Sequence, residues 1–499
     1  MFNLFIIFVK RILDMKIAII GSGFSSLAAS CYLAQAGHEV IVYEKLSTLG
    51  GRARRLQKEG FTFDMGPTWY WMPDVFENFF NDFGKKPSDY YQLEKLDPGY
   101  SVYFENNERI EVAAQLDEII KKFESIEKGS GEALKKFILK AAKHYEIAIK
   151  DLVYKPGVSF TELINWKAIS NLDQFVVTIK QEVAKKIKTK KLQQLLEFPV
   201  LFLGAKPSNT PGFYSFMNYA DFGLGTWHPK KGMYSVVEAM VNLAQELGVK
   251  FQTNCNVTKI ETKDNKAIGI LANNQLHNLD VVLSGADYHF SETLLPQNLR
   301  QYSENYWKNK TFAPSALLFY VGLNKKLKNV NHHTLFFDTD FELHAKDIYD
   351  HKKWCENPLF YASFPSITDD FFAPEGKESA TFLIPIANNL EDTAEIREKY
   401  FNIILERLEK ITNQSVRDSI VFKESFCIND FKNDYNSYGG NAYGLANTLF
   451  QTAFLRPKLK SKKVKNLFFT GQLTVPGPGV PPALISGKLV SELILKKIG

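Results

Sequence analysis

A strand, a glycine turn and a helix follow one another without a break near the amino end, and this constrains the chain more than anything else in it. Residues 16–20, KIAII, form a short apolar run suited to the first strand of a parallel sheet. The run leads directly into Gly21-Ser22-Gly23-Phe24-Ser25-Ser26 and then LAASCYLAQAG, a stretch of small and apolar residues that reads as a helix capped by Gly37. Strand, turn and helix in that order aim backbone N–H groups and the positive end of a helix at an anion, and a dinucleotide pyrophosphate suits the place. Gly21 permits the tight turn, Gly23 lets a phosphate approach the backbone, and Ser26 stands where a third small residue lets helix and sheet pack closely. The next apolar run, EVIVYE, ends at Glu44, in register to accept hydrogen bonds from an adenosine ribose. A carboxylate there repels a 2′-phosphate and disfavours NADP.

The continuation is more specific. After Glu44 come Lys45, then Gly50-Gly51-Arg52-Ala53-Arg54, then FTFDMGP at 61–67. This two-part pattern resembles the signature of glutathione-reductase-like FAD proteins, particularly the amine oxidase and carotenoid desaturase superfamily. The resemblance implies that Gly50, Gly51 and Arg52 run beside the FAD pyrophosphate, with Phe24, Ser25, Ser26 and Lys45 nearby, and that Asp64, Gly66 and Pro67 shape a turn beneath the flavin. Taken alone, the glycine pair is a plain hairpin turn and Arg52 an exposed base; the upstream motif and Glu44 in register weigh against that.

The carboxyl-terminal region carries the strongest resemblance. YGLANTLFQTAFLRP at 443–457 and KNLFFTGQLTVPGPGVPPALISGKLVSELI at 465–494 are similar to the corresponding segments of bacterial phytoene desaturases, in the form found in flavobacteria. Gln451, Arg456 and Pro457 match the first part; Gly471, Pro476, Gly477, Gly479, Val480 and Pro481 match the second. The resemblance places Gly471, Gly479 and Val480 against the flavin, where glycine admits the backbone and the last helix directs its dipole. Val475 stands where many bacterial members carry histidine. No cysteine lies between 470 and 485, so the resemblance implies non-covalent FAD.

Between these ends, Gly232-Met233 and YSVVEAMVNLAQELG read as a returning helix, and VKFQTNCNVTKIE, KAIGILAN and LDVVLSGAD as strands. The family match places Val257 by the adenine, with a buried strand valine as the bland alternative; Ala286 and Asp287 resemble the end of this segment less closely. APSALLFYVGL at 313–323, NHHTLFFD at 331–338, FYASFP at 360–365 and TFLIPIA read as strands of a second sheet facing an apolar channel. Helices are expected over 133–153 and about 174–197, and 195–222 suits a tunnel wall, a bilayer contact or ordinary core.

With 499 residues, the chain is too long for one ordinary core. The expected architecture is an α/β fold: a glutathione-reductase-like FAD-binding Rossmann domain from 15–90, 230–290 and 460–499, interwoven with a mixed-sheet substrate domain and a helical membrane-contacting region from 91–229 and 291–459. The 40 Phe, 22 Tyr and 6 Trp suit an apolar pocket, a membrane face or an aromatic core. A net charge of +6 favours an anionic bilayer modestly, and no basic block points to nucleic acid. The Lys-rich run 185–191 reads as a solvated helix face. Cys31, Cys255, Cys355 and Cys427 have no metal or redox spacing and suit a reduced, cytoplasmic protein. His332 and His333 are adjacent, and strand alternation would put their rings on opposite faces, so no metal site is expected. The apolar start, MFNLFIIFVKRILD, is too short to span a membrane; it is either untranslated, with initiation at Met15, or a short interfacial helix.

By the same resemblance, the expected reaction is FAD-dependent desaturation of 15-cis-phytoene towards neurosporene or lycopene at the cytoplasmic membrane, by a peripheral (monotopic) protein, with quinone or oxygen as final acceptor. The alternative is a desaturase, saturase or isomerase for a later carotenoid or a retinoid, including hydroxycarotenoid 3,4-desaturation. An amine oxidase and a redox-inactive lipid escort are less favoured, the escort because it has no need of a complete dinucleotide motif. Trp69, Tyr70, Trp71, Tyr214 and Trp227 are candidate contacts for a long polyene; Asp64 suits a turn better than a proton acceptor, and no catalytic residue is assigned.

Overall fold

The computed structural model describes residues 15–159, 177–448 and 451–498. Five parallel strands, β1 (Lys16–Ile20), β2 (Glu39–Tyr43), β3 (Lys250–Gln252), β4 (Val281–Ser284) and β5 (Leu467–Phe469), form one sheet in the spatial order β5-β4-β1-β2-β3. Ile17 pairs with Val40 on one side and Val281 on the other. Helices cover this sheet, so its strands are apolar along their length rather than alternating: four of the five β1 residues are buried. The helices are α1 (Phe24–Gln35), α2 (Tyr234–Glu246) and α3 (Val480–Ile498). Helix α3 returns across α1 at close range, because a Cβ on Gly487 would lie 2.5 Å from the Ser25 carbonyl oxygen and 2.7 Å from the Ala28 methyl. Three distant stretches of chain therefore meet on one nucleotide-binding framework.

The second sheet has seven strands in the order Ile420–Phe426, Ser315–Leu323, Glu378–Ile386, Phe360–Ser363, His333–Phe337, Tyr100–Phe104, Arg109–Val112. His333–Phe337 runs parallel to Tyr100–Phe104 and every other pairing is antiparallel, so the sheet is mixed. All nine residues of Ser315–Leu323 are buried. The fold is thus α/β, with a parallel Rossmann-like sheet and a mixed-sheet region.

Several local expectations are corrected. The helix expected over 133–153 is Ser130–Ile147 followed by a π-turn, Ala148–Leu152. The one expected over 174–197 is two short helices, Ile179–Ala184 and Lys190–Glu197, with 174–176 outside the described residues. Glu127 breaks it by accepting from the backbone N–H groups of Lys188 (3.1 Å) and Thr189 (2.8 Å). The Lys-rich run is therefore mostly a turn pinned by buried Ile187, not a helix face. VKFQTNCNVTKIE divides because Asn254 and Cys255 donate to the carbonyls of Leu46 and Glu44, which turns the chain out of the parallel sheet into a three-stranded antiparallel one.

His332 lies just before its strand, so alternation does not govern it, and its ring sits 4.4 Å from that of His333. Among the described residues no group of three or more His, Cys, Asp or Glu is arranged to hold a metal ion. Nor is any described helix long and apolar enough to cross a membrane. The four cysteines are buried and free. The first fourteen residues lie outside the described residues.

Candidate functional site

One cavity of about 1200 Å³ runs from the carboxyl edge of the parallel sheet into a chamber against the mixed sheet. At its sheet end, Gly23 caps α1 without any side-chain hydrogen bond, leaving the first N–H groups of the helix facing the cavity. A Cβ at Gly23 would meet no atom within 4 Å, although its own φ of −66° suits any residue. Uncapped donors and open space together fit a pyrophosphate.

Glu44 is buried and ties this end together. One carboxylate oxygen accepts from the Ser22 backbone N–H (2.9 Å) and hydroxyl (2.6 Å), and the other from the Leu46 N–H (2.9 Å). Ser22 Oγ in turn accepts from Gly50 N–H (3.1 Å), so Glu44 orders the turn as well as facing the cavity. Gly21, Phe24, Ser25, Lys45, Gly50, Gly51 and Arg52 also line the cavity, whereas Ser26 is buried beneath it against Gly285. Lys45 Nζ donates to the Asn433 carbonyl across the cleft. Arg52 donates to Ser437 Oγ (2.5 Å) and lies 5.3 Å over the Tyr435 ring; among the described residues its buried Nε has no partner. Val257 lines the same end beside Cys255 and Asn256.

Gly66 passes so close to Arg52 that a Cβ would fall 2.1 Å from its carbonyl oxygen, and Gly66 and Pro67 then enter the cavity wall. Asp64 does not line it. Its two oxygens accept from Met233 N–H (2.8 Å) and Tyr234 N–H (3.1 Å) at the start of α2, and burial raises its pKa to about 6. Asp64 is thus a clamp between two stretches of the framework, not a candidate base.

Gly471, Gly479, Val480 and Val475 line the cavity from the carboxyl-terminal side. Arg456 stands behind them, with all its donors used on uncharged acceptors: Thr474 O (2.8 Å), Asn447 Oδ1 (2.7 Å), Gln451 O (3.0 Å), Leu445 O (3.1 Å) and Gln472 O (2.9 Å). Burial without a carboxylate partner pulls its pKa down to about 10.

Of the expected substrate contacts, Trp69, Trp71 and Tyr214 line the chamber and Tyr70 and Trp227 do not. Tyr70 projects to the opposite side from its neighbours, stacking on Phe76 and bonding Tyr91, because the stretch is extended and bridges to Trp227. Trp227 caps that bridge, its indole N–H donating to the Leu224 carbonyl. Trp69 lies flat on His333, 4.1 Å away and 11° from parallel. Sequence reasoning missed Thr68, His344, Tyr349, Tyr361 and Tyr443, all of which line the cavity. Thr68 was findable from its place after Gly66-Pro67; the tyrosines and His344 carry no local signal. The site joins a nucleotide cradle to a largely apolar chamber, as FAD and an elongated hydrocarbon would require.

The family description "Flavin containing amine oxidoreductase" matches residues 24–495. A carotenoid 3,4-desaturase of Haloarcula japonica is 41% identical over 489 residues, covering 97% of this chain and 98% of the relative. A 4,4′-diapophytoene desaturase (4,4′-diaponeurosporene-forming) of Staphylococcus haemolyticus is 32% identical over 507 residues, covering 97% and 99%. Among solved structures, an oxidoreductase from Methanosarcina mazei shares the fold with a TM-score of 0.63 at 18% identity, covering 96% of this chain and 100% of the other.

Proposed function

The chain belongs to the flavin-containing amine oxidoreductase family, among its carotenoid desaturases, and from that premise we propose that it introduces the 3,4 double bond of a late carotenoid. It is an FAD-dependent oxidoreductase, and bound FAD supplies a two-electron acceptor for the hydrogen lost. The first expectation, 15-cis-phytoene, yields to its alternative because the 41% identical relative is named for 3,4-desaturation, against 32% for the diapophytoene desaturases. The observation that carries the reading is the continuity of the nucleotide cradle with a single apolar chamber.

Within it, the uncapped start of α1, Glu44, Arg52 and Val257 would hold the dinucleotide, and Gly66, Pro67, Gly471, Gly479 and Val480 would hold the flavin non-covalently. Trp69, Trp71 and Tyr214 would orient the polyene, and the apolar walls exclude water from the reacting bond. The cofactor unit corresponds to 15–90, 230–290 and 460–499, and the substrate unit to the two stretches between. Gly157 and Ser159 line the cavity beside Val158, which is 63% exposed, and cavity-lining Leu455 is 39% exposed. These apolar residues favour peripheral contact with a membrane that delivers the substrate and a quinone or oxygen as final acceptor.

The test is anaerobic incubation of FAD-loaded protein with liposomes carrying either an end-saturated late carotenoid or 15-cis-phytoene. Flavin bleaching with a red-shifted product from the late carotenoid alone is expected; conversion of phytoene alone overturns the reading.

A further inference from the structure

Behind the chamber wall stands a row of buried polar groups that the cofactor cradle does not use. It begins at the cavity, where Thr68 and Tyr361 both line the wall and their hydroxyls bond each other at 2.8 Å. The Tyr361 hydroxyl also bonds His333 Nδ1 at 2.6 Å. His333 is fully buried against Trp69, and among the described residues its Nε2 has no hydrogen-bond partner. The His332 ring lies 4.4 Å from that of His333, and the His228 ring 4.6 Å from that of His332. His332 Nδ1 bonds Thr368 Oγ1 (2.6 Å), and His228 Nε2 bonds Asp369 Oδ2 (3.0 Å). Thr368 is half-buried and follows Ile367, which is 41% exposed. The row therefore runs from the chamber to the protein surface.

Two features separate it from ordinary core packing. An imidazole nitrogen buried without a partner costs stability unless the position has another use. Imidazoles in series also share a capacity: each ring can take a proton on one nitrogen and release one from the other. Burial keeps His332 and His333 uncharged at neutral pH, so both can accept. Among the described residues, these rings and Asp369 are not arranged to hold a metal ion.

Thr68 directly follows Gly66-Pro67, which are proposed to hold the flavin, so the two hydroxyls stand near the reacting bond. Desaturation removes hydrogen from two neighbouring carbons. One hydrogen leaves with its electron pair, as hydride, to bound FAD. The electron pair of the other C–H bond becomes the new π bond, and that hydrogen leaves as a proton. In a largely apolar chamber the proton needs an acceptor and a way out.

We propose that Tyr361, His333 and His332 form a relay that carries this proton from the chamber to the surface. The Tyr361 oxygen takes the proton as its own hydrogen passes to His333 Nδ1, so the phenol stays neutral. His333 then releases the hydrogen on Nε2 to the His332 ring, and His332 releases its Nδ1 hydrogen past Thr368 to solvent. The Asp369 carboxylate, held on His228, favours the cation in transit. The relay rests on the reading of the protein as a polyene desaturase, but not on which bond is oxidised.

The test follows anaerobic flavin bleaching in the FAD-loaded full chain, in H2O and D2O, for the wild type, Y361F and H332F. The probe is an end-saturated late carotenoid in phosphatidylcholine vesicles or, where that is not converted, 15-cis-phytoene. Binding of the late carotenoid is read separately by quenching of tryptophan fluorescence. His332 does not line the cavity, so H332F should keep its quenching while bleaching slows about a hundredfold, and Y361F should bleach as slowly. The solvent deuterium isotope effect on bleaching should rise in both, because proton removal has become limiting. If one variant fails to hold flavin, the other decides. Wild-type bleaching rates in the flavin-loaded variants overturn the proposal. So does slower bleaching with an unchanged isotope effect, which a merely displaced wall would give. Nitrogen NMR of the imidazoles needs no turnover: the relay expects a bare Nδ1 and a protonated Nε2 on His333, with the Nδ1 signal shifted in Y361F. A protonated Nδ1 there overturns it. If neither polyene bleaches the wild-type flavin, the reading as a desaturase fails, and the His333 tautomer alone decides the relay.

Discussion

Arg456 donates its Nε–H to the Thr474 carbonyl at 2.8 Å, which fixes the turn at 471–475 to the segment 445–456 without a single carboxylate. The remaining donors bond Asn447, Gln451, Leu445 and Gln472. A planar guanidinium serves five directed contacts; a lysine ammonium has three donors and no fork. Arg456→Lys should therefore destabilise the FAD-loaded protein by about 2 kcal/mol or more, and Arg456→Met further still, since buried carbonyls lose their donors. Thermal unfolding followed by flavin release measures this; an unchanged midpoint in Arg456→Met would show that the clamp carries no stability.

Gly23 and Gly50 make opposite demands. At Gly23 the backbone is ordinary and a Cβ would touch nothing, so Gly23→Ala should fold with little loss of stability while its methyl occupies the space proposed for pyrophosphate. At Gly50, φ is +112° and a Cβ would fall 2.9 Å from the Ala53 carbonyl oxygen, so Gly50→Ala should cost about 1–3 kcal/mol before any cofactor is considered. Flavin titration of the two purified apoproteins, with unfolding midpoints alongside, separates the cases. Tight flavin binding by Gly23→Ala would refute the proposed place of the pyrophosphate.

Asp221 is buried and accepts a hydrogen bond from Tyr100 (2.7 Å), and burial raises its pKa to about 8. The folded-state value lies above the unfolded one near 4, so folding takes up a proton between these values. The contribution is fully present below pH 4 and is lost as pH rises through about 8. Asp221→Asn keeps an acceptor for Tyr100 and removes the titration, so the fall in unfolding midpoint between pH 6 and pH 9 should shrink. An identical fall in both proteins would assign it to other groups.

How much of this was legible in the sequence depended on whether a motif acts through its own backbone. Gly21 and Gly23 shape a turn between a strand and a helix, so their spacing placed them, whereas Gly50, Gly51 and Gly66 were placed by the family resemblance; all five line the cavity. The parallel strands were legible because burial on both faces leaves a continuous apolar run, as in KIAII. The long-range partners were not. Nothing local tells that Glu127 would stop a helix at Lys188, or that the carboxylate of Asp64 would clamp Met233. Tyr70 and Trp227 were misjudged for a simpler reason: aromatic character says that a residue packs, not which side of an extended strand it packs on.

The histidines behind Trp69 oppose folding in acid. His332 and His333 are buried, and burial, with His228 beside both, holds their pKa values well below the usual 6.5. Here the sign is the reverse of Asp221: unfolded histidine binds a proton below about pH 6.5 that the folded ring excludes, so this stability is present above that pH and is lost as pH falls. The His333 ring also supports the chamber wall, bonding Tyr361 at 2.6 Å and stacking on Trp69 at 4.1 Å. His333→Asn keeps a polar group near the Nδ1 position but removes the titration and the stack. Between pH 7 and pH 5, its unfolding midpoint should fall less steeply than that of the wild type, while polyene quenching of tryptophan weakens already at pH 7. A wild-type slope with intact quenching would show that His333 neither limits acid stability nor shapes the chamber.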